Sequence, residues 1–276
     1  MDKDIFAYWK AHNSAPYPFP TDLGTWKDSW ENDTDADGRT LFTDLHTDLM
    51  RDSAGAITGL IHYGRTAFGF DEAGEISRDV HHNVIRELCF DDPKAGEQLL
   101  RSALSRFPAG ERVHAFFHYF GMSACARHGK LPETAAQVHG LLLSQGLEME
   151  HENVYYSRTL TRQDLTAASL GIQWKEPSPG HCREFSAADD TGEVCWGQVH
   201  FLPQGDIAYL RWIYVEEARQ HRGVGSRVME ALFAELWARG IRRFDTDTAR
   251  DNTAAQRFYE KMGFQNRGIT RSYYTK

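Results

Sequence analysis

Cysteine is scarce in this chain: four in 276 residues (Cys89, Cys125, Cys182, Cys195), with no C-x-x-C pair among them. A chain of this length buries a core without disulfide staples, so free thiols are expected. No run of 18 or more apolar residues occurs, which excludes a spanning helix of the usual kind and with it a membrane partner. The start, Met1-Asp2-Lys3-Asp4-Ile5-Phe6, lacks the cationic opening and apolar stretch of a secretory leader, so a cytoplasmic location is expected. Basic residues are also in the minority, 31 Lys and Arg against 39 Asp and Glu, for a net charge of -8. Phosphate backbones are held by clustered Lys and Arg, so nucleic acid is not expected as a partner. The deficit is uneven: residues 1–155 carry 14 basic against 24 acidic side chains, whereas residues 156–276 carry 17 against 15. An acidic half raises the local concentration of a cationic substrate, and a mildly basic half tolerates an anionic one.

What the chain does have is a clear alternation of strand and helix patterns in its C-terminal part. Residues 180–188 and 193–202 read as two strands of a hairpin turned at Asp189-Asp190-Thr191-Gly192, and Asp206 to Val215 as a third strand. Val228, Ala231, Leu232, Phe233, Leu236 and Trp237 mark one face of a helix that Gly240 ends. A strand over 241–248, a helix over 252–262 stopped by Gly263, and a strand over 269–274 follow. The N-terminal half repeats this order. Gln145-Gly146-Leu147 followed by Val154-Tyr155-Tyr156-Ser157-Arg158 mirrors Met262-Gly263-Phe264 followed by Ser272-Tyr273-Tyr274-Thr275-Lys276. Upstream, residues 54–63 match the hairpin strand, 84–90 the strand before the turn, 96–107 the helix and 113–119 the strand after it.

The copies differ where chemistry is expected. The second places Gln220-His221-Arg222-Gly223-Val224-Gly225-Ser226 between a strand and a helix. Glycines there let the backbone approach a ligand closely, and a helix start offers unpaired N–H groups and the positive end of its dipole, together a pyrophosphate cradle. The first copy, Phe90-Asp91-Asp92-Pro93-Lys94-Ala95-Gly96-Glu97, is about four residues shorter and lacks the paired glycines.

A second motif, Asn252-Thr253-Ala254-Ala255-Gln256-Arg257-Phe258-Tyr259-Glu260-Lys261-Met262-Gly263-Phe264, stands at a suitable distance from the first. Together the two resemble the GCN5-related N-acetyltransferase (GNAT) superfamily, with Gln220, Gly223 and Gly225 filling one pattern and Asn252, Ala255, Tyr259, Gly263 and Phe264 the other. The resemblance is close over residues 180–276 and loose over 41–158. It implies an α/β fold (α+β mixed sheet) of two tandem GNAT-like domains, each a twisted, mostly antiparallel sheet flanked by helices. Residues 1–158 would be a degenerate copy without CoA that contributes to the substrate pocket, and residues 159–276 the catalytic copy that binds acetyl-CoA.

Carried over residue by residue, the resemblance assigns the main chain of His221, Arg222, Gly223, Val224, Gly225 and Ser226, with Gln220 opening the loop, to the CoA pyrophosphate. It assigns the strand residues Ile213, Tyr214 and Val215 and the side chain of Asn252 to the pantetheine arm. Tyr259 would be the general acid that returns a proton to the departing thiolate. The general base stays open among Asp206, Glu216, Glu217, Asp245, Asp247 and water. The function implied is acetyl-CoA-dependent N-acetylation of a small cationic amine such as an amino acid derivative, a polyamine or an amine-bearing antibiotic, by a monomer or homodimer. A protein N-terminal or lysine acetyltransferase and a non-catalytic acyl-CoA sensor are the alternatives.

No metal is expected. Asp33-Thr34-Asp35-Ala36-Asp37-Gly38 matches half of a calcium loop but has Asp44 rather than Glu at the twelfth position, and it reads as a solvated turn. His114 and His118 are expected to share a face of one strand within Val-His-Ala-Phe-Phe-His-Tyr, as core or pocket side chains.

Overall fold

The computed structural model describes residues 2–13, 15–31, 33–34, 38–71, 76–165, 170–176, 181–203 and 205–276. Two compact units form: residues 1–35, 39–152 and 269–276 make the first, and residues 36–38 and 153–268 the second.

In the first unit, helices α1 (Asp2–His12) and α2 (Leu23–Glu31) precede the hairpin β1 (Phe42–Arg51) and β2 (Ile57–Thr66). The short strands β3 (Gly69–Phe70) and β4 (Ile76–Ser77) follow, then β5 (Asn83–Phe90), α3 (Pro93–Arg106), β6 (Val113–Ala115), β7 (Leu131–Pro132) and α4 (Ala136–Ser144), and the first copy ends with β8 (Glu148–Thr159), which crosses from the first unit into the second at residue 153. β1, β2 and β5 pair antiparallel. β6 joins β5 in parallel, a pairing that needs a crossover, which α3 supplies. Because strand side chains alternate, β5 feeds two apolar clusters. Ile85, Leu88 and Phe90 pack with Leu99, Leu100 and Ala103 of α3, while Cys89 packs with Trp9, Trp26 and Trp30 of α1 and α2.

The second copy follows the same plan with β9 (Gly171–Trp174), β10 (Cys182–Asp189), β11 (Gly192–Phe201), β12 (Ile207–Val215), α5 (Val224–Ala238), β13 (Arg243–Ala249), α6 (Thr253–Lys261) and β14 (Gln265–Tyr274), whose residues from 269 onward belong to the first unit. β10, β11 and β12 are antiparallel, β13 is parallel to β12, and α5 is the crossover. Five of the six apolar positions read on that helix, Val228, Ala231, Leu232, Phe233 and Leu236, are buried. Gly240 and Gly263 take positive φ, 88° and 82°, as helix-ending glycines do.

The two copies match in their irregularities as well as in their order. Gln198 pairs with Trp212 and Val199 with Leu210, leaving Arg211 as the extra residue of a bulge on β12. His62 pairs with Glu87 and Tyr63 with Ile85, leaving Arg86 in the same place on β5. The strand that ends each copy belongs to the other copy's unit. Asn153–Thr159 of β8 pair antiparallel with β13 in the second unit, and Tyr273 and Tyr274 of β14 pair with Ala115 and His114 in the first. The compact units therefore do not divide at a single cut between residues 158 and 159.

Two expectations are corrected. Asp33 is not solvated: its carboxylate is buried, 2.9 Å from Arg86 Nη2, and accepts the Ser123 N–H at 3.0 Å. Residues 35–37 of that motif lie outside the described residues. His114 and His118 do not share a strand, because β6 stops at Ala115, Phe116 takes a φ of 60°, and His118 opens a 3-10 turn.

Candidate functional site

β12 and β13 are paired only from Ile207↔Arg243 to Leu210↔Thr246, after which β13 continues against β8 and β12 against β11. The parallel pair thus splays open from the bulge at Arg211 onward. The Glu216 N–H bonds to the Val194 carbonyl, so strand alternation turns the main-chain groups of Tyr214 toward β11 and those of Ile213 and Val215 into the gap. The structure thus separates Tyr214 from its two neighbours. Its side chain is half exposed and stacks on Trp196 at 6.1 Å between ring centroids.

The loop after β12 is built from its own sequence. Gln220 Nε2 donates to the Val215 carbonyl at 3.0 Å, fastening the loop back onto the strand end. His221 and Gly223 both have positive φ, 59° and 77°, which a glycine adopts without strain. Gly223 is the N-cap of α5 and brings no capping side chain. The first helical bond is Arg227 N–H to the Gly223 carbonyl, so the N–H groups of Val224, Gly225 and Ser226 have no acceptor within the helix. A Cβ at Gly225 would touch Phe258 and Val215 at 3.5 Å and 3.7 Å, which shows how closely this turn lies against the gap and α6. An uncapped helix start beside an open strand edge suits a phosphate-bearing chain that runs along the strand.

The corresponding helix of the first unit is sealed. Asp92 is the N-cap of α3 and its carboxylate accepts the Lys94 N–H, and Pro93 stands at the first helical position. A carboxylate at that spot favours the helix dipole and repels a second anion.

Tyr259, on α6, is 6 % exposed and packs among Tyr156, Phe258 and Phe264. Its phenol lies beside the Thr246 side chain. Thr246 Oγ1 in turn donates to the Leu210 carbonyl at 3.1 Å, and Leu210↔Thr246 is the last rung before the strands part. The phenol therefore lies where the gap begins. Burial raises its pKa above the usual 10, which keeps it protonated at neutral pH. Asn252 is the N-cap of α6, accepting the Ala255 N–H at 3.1 Å through Oδ1, so that oxygen shapes the helix start.

Of the carboxylates considered as base, Asp245 is wholly buried between the Tyr155 hydroxyl (2.8 Å) and Arg243 Nε (2.9 Å), and burial raises its pKa. Glu216 stands 3.5 Å from Arg219. Asp206 and Glu217 are exposed. Asp247 is one residue past the last β12 rung and accepts from the Tyr209 hydroxyl at 2.8 Å. Tyr209, Thr246 and Tyr156 were not singled out as site residues from the sequence. The doubled tyrosines of β8 were visible there as repeat markers, but nothing local indicated that β8 would lie beside β13.

The splayed parallel pair, the glycine turn onto an uncapped helix and the following tyrosine helix all lie in the second unit. Residues 149–264 match the acetyltransferase (GNAT) family model. Over 69 residues the chain is 35% identical to the [ribosomal protein bS18]-alanine N-acetyltransferase of Haemophilus ducreyi, a match spanning 25% of this chain and 48% of that one. The Escherichia coli strain K12 protein of the same name is 36% identical over 69 residues, 25% and 47% of the two chains. The chain thus spans about half the length of the curated relatives it matches. Among solved structures, a tandem GNAT protein from the clavulanic acid biosynthesis pathway superposes with a TM-score of 0.65 at 11% identity, over 99% of this chain and 93% of that one. The GCN5-related glucosamine N-acetyltransferase region of a fungal multi-domain GH3 β-N-acetylglucosaminidase gives 0.68 at 11% identity, over 99% and 36%. At such identities these structures speak to the fold. No helix among the described residues is long and apolar enough to cross a membrane.

Proposed function

We propose that the second unit transfers an acetyl group from acetyl-CoA to the amine of a small cationic molecule. The observation that carries this reading is the position of the buried Tyr259 phenol beside Thr246, at the rung where β12 and β13 separate. Acetyl-CoA supplies an activated thioester. The N–H groups of Val224, Gly225 and Ser226 would hold its pyrophosphate, and Ile213 and Val215 would pair with its amide-bearing arm through the open strand edge. Main-chain N–H groups fixed in position near the bulge would polarise the carbonyl as the amine attacks. As the C–N bond forms and the C–S bond breaks, Tyr259 gives its proton to the sulfur. Asp247, held by Tyr209, would accept the proton lost by the amine. The cationic acceptor is favoured by the 24 acidic against 14 basic side chains of residues 1–155.

The alanine N-acetyltransferases among the relatives support a second reading, in which the acceptor is a protein α-amine. A Tyr259→Phe variant tests the chemistry: turnover should fall by about 10²–10⁴ with acetyl-CoA affinity within two-fold of wild type. Unchanged turnover would remove Tyr259 as the acid. A panel of a polyamine, an amino acid amide, an aminoglycoside and an Ala-starting peptide separates the acceptors, and a peptide that outran the small amines would decide for the second reading. Absence of CoA release with every acceptor, with CoA still bound, would leave a sensor.

A further inference from the structure

The first unit keeps the strand gap but has lost the phosphate cradle, and the gap holds a cavity. β5 and β6 are paired from Asn83↔Val113 to Ile85↔Ala115. The Phe116 N–H closes onto the Ile85 carbonyl at 2.8 Å, and the chain turns away at its positive φ. The Asp91 N–H bonds to the Thr58 carbonyl, so alternation points the main chain of Leu88 and Phe90 into the opening, just as for Ile213 and Val215. The space beyond is a cavity of about 430 Å³. Its apolar walls include Trp9, Tyr17, Leu88, Phe90, Phe116 and Val138, and among the described residues its one carboxyl is Glu87, the residue after the bulge. A carboxylate in such a wall is costly until a cation meets it. Tyr17, His128 and Lys130, also in the wall, already engage other groups.

We propose that this cavity is a binding site for a small apolar amine, whose ammonium is held by the Glu87 carboxylate and whose hydrocarbon body fills the aromatic and aliphatic walls. The sealed start of α3 excludes a phosphate-bearing occupant of the kind proposed for the second unit. The inference rests on the first unit alone and stands whether or not the second unit acetylates anything. Burial pushes the Glu87 carboxyl up to about 7, so an ammonium that binds to it displaces a proton. Affinity should then rise about ten-fold between pH 6 and pH 8. His12 from α1, Cys89 and Arg86 from β5, and Cys125, His128 and Lys130 from the segment before α4 also face or adjoin Glu87. Protonation of the histidines would act in the same direction, so the slope must be compared with that of a Glu87→Gln variant.

Titration calorimetry of the full chain with benzylamine, benzyl alcohol and phenylacetate, without acetyl-CoA, tests this. Benzylamine should bind at least ten-fold tighter than benzyl alcohol at pH 8, and phenylacetate should not bind. Glu87→Gln should abolish the preference and the pH slope, while Tyr259→Phe leaves both in place. Val138→Trp, which fills the cavity, should abolish binding of both uncharged and amine probes in a protein that circular dichroism shows to be folded. Equal affinities for benzylamine and benzyl alcohol, or a preference that survives Glu87→Gln or Val138→Trp, would overturn the proposal.

Discussion

Replacing Glu87 with Gln should stabilise the first unit at pH 8 and do little at pH 4.5. The carboxyl of Glu87 is moved by burial from an ordinary value of 4.5 to about 7. Between those two pH values the folded protein holds a proton that the unfolded chain has released. Folding therefore takes up a proton, and stability falls as pH rises across that window. Each pH unit costs about 1.4 kcal/mol, so the loss reaches about 3 kcal/mol by pH 7 and stays constant above it. A Gln side chain has nearly the shape of the protonated acid and cannot ionise, so the variant lacks this loss. Urea titrations of both proteins from pH 4.5 to pH 8 would measure it, with hydrogen exchange at the amides of Cys89 and Asp91, which face β2, confirming that the first unit is being read. With a denaturant slope of about 1–3 kcal/mol/M, the midpoints should separate by about 1 M or more at pH 8. Every other titrating group is common to the two proteins and cancels in the difference. A midpoint difference that stays flat from pH 4.5 to pH 8 would refute the placement of Glu87 in an apolar wall.

Three further outcomes follow from other parts of the chain. A chain that begins at residue 159 lacks the β8 segment that pairs with β13, including buried Val154, Tyr155 and Tyr156, at about 1.5–3 kcal/mol per large apolar side chain. Calorimetry should show no cooperative unfolding transition for it, and a sharp transition would contradict the strand exchange. Gly223→Ala places a Cβ at a φ of 77°, a strain of about 1–2 kcal/mol, and should weaken CoA binding about five- to thirty-fold by titration calorimetry. Asp33→Asn leaves Arg86 charged and buried, and thermal or urea unfolding should show a loss of about 3–5 kcal/mol.

Much of the second unit was legible residue by residue because its signals are local. The helix face of Val228 to Leu236 follows from a 3.6-residue period, and Gly223, Gly240 and Gly263 stand where the backbone turns left-handed. The loop over Gln220 to Ser226 could be read as a cradle because a helix start is defined by the residues next to it. The N-terminal helices and the turn at Phe116 were harder. α1 and α2 have no counterpart among the described residues of the second copy, and an alternating run such as Val-His-Ala-Phe-Phe-His-Tyr looks like a strand whether or not a partner strand continues beside it.

The family motifs, the repeat and the difference between a glycine turn and an Asp-Pro turn are written in the chain's local order, since each depends on neighbouring residues. Which strands each terminal strand pairs with is fixed by the packing of the folded chain, for β8 and β14 carry the same doubled tyrosines and pairing is a contact between distant segments. The same packing sets the fate of the charges. Asp33 reads as one of several acidic turn residues until Arg86, fifty-three positions away, is found beside it. Glu87 reads as an ordinary strand glutamate until the gap beyond Ile85 surrounds it with apolar walls, and the free energy of a charge is set by what surrounds it in space.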